Sequence, residues 1–150
     1  MLVLPALHGA EVRPVWRWGR ASPCLDFDRS GKTSGRDSYV TKLLTKTVTK
    51  IISIAPLLNH NDAGVCGNLY SLAMGSIDNT LRFEASPERL ATAVPEIHAK
   101  RELSDHVVLN ITDALIGQYQ GEQTSLLHYS VELNQIWPSK DPVALDVLAI

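Results

Sequence analysis

The run "KIISIAPLL", residues 50–58, constrains this chain more than any other stretch. Its isoleucines are β-branched and stiff at χ1, which favours a strand over a helix. It lacks polar alternation, the pattern of a strand buried on both faces within a helix-covered parallel sheet. Such a strand needs parallel neighbours and helical crossovers, and the rest of the chain supplies candidates for both.

"HVVLNIT" reads as a second strand, with Val107, Leu109 and Ile111 on one face and Asp113 just at its end. "YSVELNQIW" reads as a third, with Val131, Leu133, Gln135 and Trp137 in phase. Residues 39–49, rich in lysine and threonine, read as a helix leading into the first strand. Asn61 or Asp62 can cap a helix over Ala63 to Gly75, where Val65, Leu69 and Leu72 share one face and Cys66, Tyr70 and Ala73 the adjacent one. In "SPERLATAVPEIHAKREL", Ser86 is a cap and Pro87 takes the first helical position, while Pro95 predicts a kink or two short helices. Ser139 or Asp141 caps a closing helix that begins at Pro142.

Strands alternating with helices predict an α/β domain with a mainly parallel sheet and helices packed on it. The expected division is an irregular segment over residues 1–36, in which Trp16 and Trp18 alternate as in a short strand, and the α/β domain over 37–150. The closing "DPVALDVLAI" reads as a helix cut off within its third turn, so the domain is expected to be truncated.

A length of 150 residues suits one domain, and a net charge of -2 without a basic run argues against nucleic acid as a partner. Cys24 and Cys66 are too few for a four-cysteine zinc site or an iron–sulfur cluster. No stretch approaches the length needed to span a membrane. "MLVLPALHGAEVRP" has too short an apolar stretch, broken by Pro5, for a secretion signal. Cytoplasmic location is the default, with export the alternative if a leader has been lost. "RSGKTSGR" holds the end of a phosphate-loop signature, but Asp26 stands where its first glycine belongs.

In an open parallel sheet, ligands bind outside the carboxyl ends of the strands. The three strand exits here are "NHND", "TDA" and "SKDP", which would gather His60, Asp62, Asp113, Lys140 and Asp141 on one edge. His60 can serve as acid, base or metal ligand near neutral pH, although a lone histidine can equally be structural. Asp62 and Asp141 read as helix caps or as reactive groups, whereas nothing local requires the Asp113 carboxylate. Asn61 and Asn79 offer orienting amides. Arg82 offers a planar fork for a carboxylate or phosphate, or a salt bridge to Glu84 or Asp78. Asp146, one turn into the closing helix, points either back to the edge or to solvent. "NIT" at Asn110 matches a glycan acceptor but lies in a strand core.

The succession "KIISIAPLLNHNDAGVCGNLYSLAMGSIDN", "HVVLNITDALIGQYQGE" and "IWPSKDPVALDVLAI" resembles the uncharacterised family called DUF362. The resemblance covers roughly residues 40 to 150. "DPVALD" and the spacing of His60, Gly64 and Val65 are its most specific parts. It departs from the family's pattern at Leu58, and again at Tyr70 and Ser71, where the family often carries lysines. Some members carry ferredoxin-type cysteine motifs or twin-arginine export signals, and the family implies no established reaction.

The expected function is therefore a domain binding a small anionic or metal-chelated ligand at the sheet edge. His60 and Asp113 are the candidate catalytic pair, and Asn61, Asp62, Asn79, Arg82, Lys140 and Asp141 the candidate ligand-binding groups. A divalent metal is compatible with these side chains, but no spacing specifies one. The alternative is a non-catalytic module of a redox or envelope-associated protein, its polar loops acting as caps and contacts.

Overall fold

The computed structural model describes residues 13–17, 37–84, 86–121 and 126–150, the first of these segments and residue 37 by backbone only. The phosphate-loop-like stretch and Cys24 lie outside them. Two strands, β1 (Arg13–Arg17) and β2 (Asp37–Val40), form an antiparallel pair. A short helical turn at Leu43–Thr47 follows, in place of the helix expected over residues 39–49. The main sheet contains β3 (Ile51–His60), β4 (Gly64–Val65), β5 (Val107–Gln118) and β6 (Ser130–Ser139) in the order β4-β3-β5-β6. The helices are α1 (Asn68–Ser76), α2 (Leu81–Glu84), α3 (Pro87–His98), α4 (Arg101–Ser104) and α5 (Pro142–Leu148).

The sheet is mixed and mostly antiparallel, which corrects the expectation of a mainly parallel one. Only β3 and β5 run parallel, while β4 and β6 are antiparallel to their neighbours. The cause lies in the connections. Parallel neighbours require a crossover of a dozen or more residues, generally helical. The segment from β3 to β5 contains α1 to α4 and meets that need. The segment from β5 to β6 shows only a single turn, Leu127–Tyr129, among its described residues, so the chain doubles back. Strand β5 itself contributes to this, since it runs on through "ALIGQ" well past Asp113.

The expected burial of β3 on both faces is also corrected. Ile51, Ser53, Ala55 and Leu57 are buried beneath the helices, whereas Ile52 and Ile54 are 57% and 52% exposed on the other face. Among the described residues, the helices therefore pack on one face of the sheet. The main core joins Ile51 to Tyr70, Ala73 and Met74 of α1, and to Leu90, Val94 and Ile97 of α3. A smaller one places Leu57, Val65 and Ala114 against Leu133, Trp137 and Ala149.

Local signals held at the starts of α3 and α5. Ser86 accepts the Arg89 N–H at 3.3 Å, with Pro87 in the first turn. Asp141 accepts the N–H groups of Val143 and Ala144 at 2.9 and 3.2 Å, ahead of Pro142's turn. Of the two outcomes expected at Pro95, a kink or two short helices, the second does not occur, because α3 runs unbroken from Pro87 to His98. The carbonyl that Pro95 deprives of a partner belongs to Ala91, an exposed residue that water reaches, while Leu90, Ala93, Val94 and Ile97 keep one continuous apolar stripe.

Candidate functional site

The end of β3 is where sequence reasoning placed the best candidate, His60. It is the last residue of the strand and is 4% exposed. Gly64, at φ +82°, reverses the chain so that Gly64 and Val65 pair back onto His60 and Asn59. That hairpin delays the helix expected from Ala63 until Asn68, so neither Asn61 nor Asp62 caps it. The turn's backbone instead uses the imidazole. His60 Nδ1 accepts the N–H groups of Asp62 and Ala63 at 3.2 and 3.1 Å. With Nδ1 accepting, the ring proton sits on Nε2, which donates to the Tyr70 hydroxyl at 3.1 Å. The two rings also lie 4.6 Å apart, centroid to centroid, in a tilted contact. Both nitrogens thus hold the turn against α1.

Beyond Asn61 and Asp62 of the same turn, the predicted residues do not converge on His60. Asp113 pairs with Pro56 and Ile136 in the middle of β5, exposed on the face opposite the helices. Its Oδ1 accepts the Leu115 N–H at 3.1 Å. Because β6 runs antiparallel, Ser139 pairs with Asn110 near the start of β5, and Lys140 and Asp141 leave the sheet at the end away from His60. Asp141 is engaged as the α5 cap, and the Lys140 carbonyl accepts from the Asn110 amide at 3.3 Å. Asn61 is exposed, its Oδ1 accepting from Asn59 at 3.4 Å. Arg82 is buried beside β2, donating to Ser38 Oγ at 3.4 Å and lying over the Phe83 ring. The Asn79 carbonyl accepts from that same serine hydroxyl at 2.9 Å, and Asp78 Oδ1 accepts the Tyr39 N–H. Among the described residues, no three of His, Cys, Asp and Glu gather as a metal site.

The direction of Asp146, left open by the sequence, is decided beneath α5. Asp146 is 8% exposed and its carboxylate crosses to the start of α1, taking the Asn68 N–H on Oδ1 at 2.7 Å and the Leu69 N–H on Oδ2 at 3.0 Å. Helix N-termini leave such N–H groups unpaired and attract negative charge. Gly67, the residue before α1, has no side chain to cap it, and a Cβ there would overlap the Asp146 carboxylate. That glycine was the available signal: a helix start without its own cap requires one from elsewhere. Burial pushes the Asp146 carboxyl above its usual range, offset in part by the two N–H bonds and by His98. Burial likewise lowers His98, against the pull of Asp146.

Beside it, the Asn68 side chain donates to Thr112 Oγ1 at 2.8 Å, linking α1 to β5. Asn68 and Asn110 are fully buried. Asn110 is thus enclosed in β5, where the folded chain offers no access for a glycan.

Asp146 also lines a cleft of about 300 Å³ between α1, α3 and α5. Leu69 and Tyr70, Leu90 and Val94, and Val143 and Val147 form its three walls. Its lining includes the acidic residues Asp62 and Asp146 and no lysine, arginine or histidine. Such a cleft can receive an apolar group with acidic residues at its margin. No protein-family model, curated protein or solved structure matches the chain.

Proposed function

We propose that this chain is a non-catalytic binding module that takes a small molecule into the cleft between α1, α3 and α5. The observation that carries the reading is the composition of that cleft: apolar walls, two acidic residues and no basic one. Its volume lies at the lower end of small-molecule pockets. Carboxylates disfavour an anion, so the ligand is a compact apolar molecule bearing an amine or another donor. Acid–base chemistry receives no such support, because His60 is engaged at both ring nitrogens and Asp113 stands on the opposite face. The family reading belongs to the same proposal and rests on "DPVALD" and the His60, Gly64, Val65 spacing. It would place the module within a redox or envelope-associated protein.

Titration with n-hexylamine and with hexanoate, followed by amide chemical shifts, tests the cleft. The amine is expected to perturb α1, α3 and α5 saturably and hexanoate to leave them unchanged. Ala91→Trp, which fills the cleft from an exposed position, should remove the response. An equal response to both probes, or none to the amine, would overturn the proposal.

A further inference from the structure

The sheet face away from the helices carries a second surface, independent of the cleft. Strand pairing places Ile52, Ile54 and Pro56 of β3 beside Leu109, Ile111 and Asp113 of β5. On the far side of β5, Pro138 and Ile136 of β6 pair with Ile111 and Asp113, and Glu132 pairs with Ile116. Ile54 is 52%, Ile116 48% and Ile136 60% exposed. A contiguous apolar face of this kind marks an interaction surface, unlike scattered exposed aliphatics. Within these strands its charges are acidic, Asp113 and Glu132, while the exposed Lys50 and Lys140 stand one residue outside β3 and β6 at its end. Asp113 lies mid-strand, near the centre of the face.

We propose that this face docks an amphipathic helix whose apolar stripe carries lysine or arginine opposite Asp113 and Glu132. Helices already cover the other face of β3 and β5, and a helix here completes a second layer on the same strands. Burying Asp113 beneath an apolar partner would leave a carboxylate without a counter-charge, so the partner must supply one. The same residue disfavours a second copy of this chain, because a two-fold sheet-on-sheet pair brings like carboxylates towards a shared axis.

The test uses the full chain and two labelled helical peptides with one leucine stripe, flanked in one by lysines and in the other by glutamates. Fluorescence anisotropy is expected to show binding of the lysine peptide alone. Asp113→Lys combined with Glu132→Lys should weaken it by about tenfold or more and admit the glutamate peptide. Ile54→Glu should abolish both interactions while circular dichroism and the melting transition stay those of the parent. Equal binding of the two peptides, or binding of neither, overturns the proposal. Sedimentation showing a dimer that Ile54→Glu dissolves would also overturn it, assigning the face to a second copy. The amine titration of the cleft reads separately from each of these results.

Discussion

Asp146 of α5 caps α1, 78 positions earlier in the chain, by accepting the Asn68 N–H at 2.7 Å and the Leu69 N–H at 3.0 Å. One carboxylate therefore fixes the start of the helix that also holds Tyr70 against His60. Asp146→Ala leaves both amides without that acceptor, and a lost cap with orphaned donors costs about 2–3 kcal/mol. Urea denaturation is expected to show a lower midpoint with unchanged slope. Asp146→Asn, which keeps one acceptor oxygen, should lose less.

The pH dependence of that cap has a definite sign. Burial raises the Asp146 carboxyl above its unfolded value, so the native state holds this proton more tightly than the unfolded chain. The contribution of Asp146 is then fully present below the unfolded pKa and declines as pH rises through the folded one. The stability difference between the parent and Asp146→Asn should accordingly shrink with rising pH across that window and level off above it. A difference that widened would contradict the burial argument.

Gly67 is predicted to tolerate no side chain. A Cβ there occupies the position of the Asp146 carboxylate, so Gly67→Ala must displace α5 or break the cap. The expected loss is about 2 kcal/mol or more, comparable with removal of the cap and its packing. In the Asp146→Ala background the same substitution should cost much less, a coupling that a double-mutant cycle measures directly.

His60 is expected to act as a structural residue. His60→Ala removes the acceptor for two turn amides and the donor to Tyr70, at about 2 kcal/mol, while Tyr70→Phe removes one hydrogen bond at about 1 kcal/mol. Thermal unfolding of the two single variants and the double variant should reveal their coupling. Stability unchanged in His60→Ala would show that the hydrogen bonds at this turn contribute little.

Burial pushes the Cys66 thiol up to about 11. At pH 8 its thiolate fraction is then about 0.1%, against about 25% for an ordinary thiol. In a Cys24→Ser background, native Cys66 should react with a disulfide reagent far more slowly than the urea-unfolded chain. Comparable rates would mean that the thiol is accessible.

Several elements were legible in the sequence because their causes are local. Ser86 and Asp141 cap α3 and α5 through amides two or three positions away. The "KIISIAPLL" run forms a strand, as its β-branched content implies. The delayed start of α1 was less legible, because it depends on Gly64 folding a two-residue strand back onto β3. The candidate site was read least well. Its geometry presumed that the strand exits point the same way, and β6 does not comply.

The sequence by itself determined the strand at "KIISIAPLL" and the starts of α3 and α5, through residue shape and through caps that act within one turn. Only the tertiary structure decided that β6 returns antiparallel, that Asp113 and His60 face opposite sides, and that Asp146 caps a distant helix. The physical reason is range. Caps and backbone propensities act between neighbouring residues, whereas strand direction and burial arise when segments far apart in sequence close upon one another.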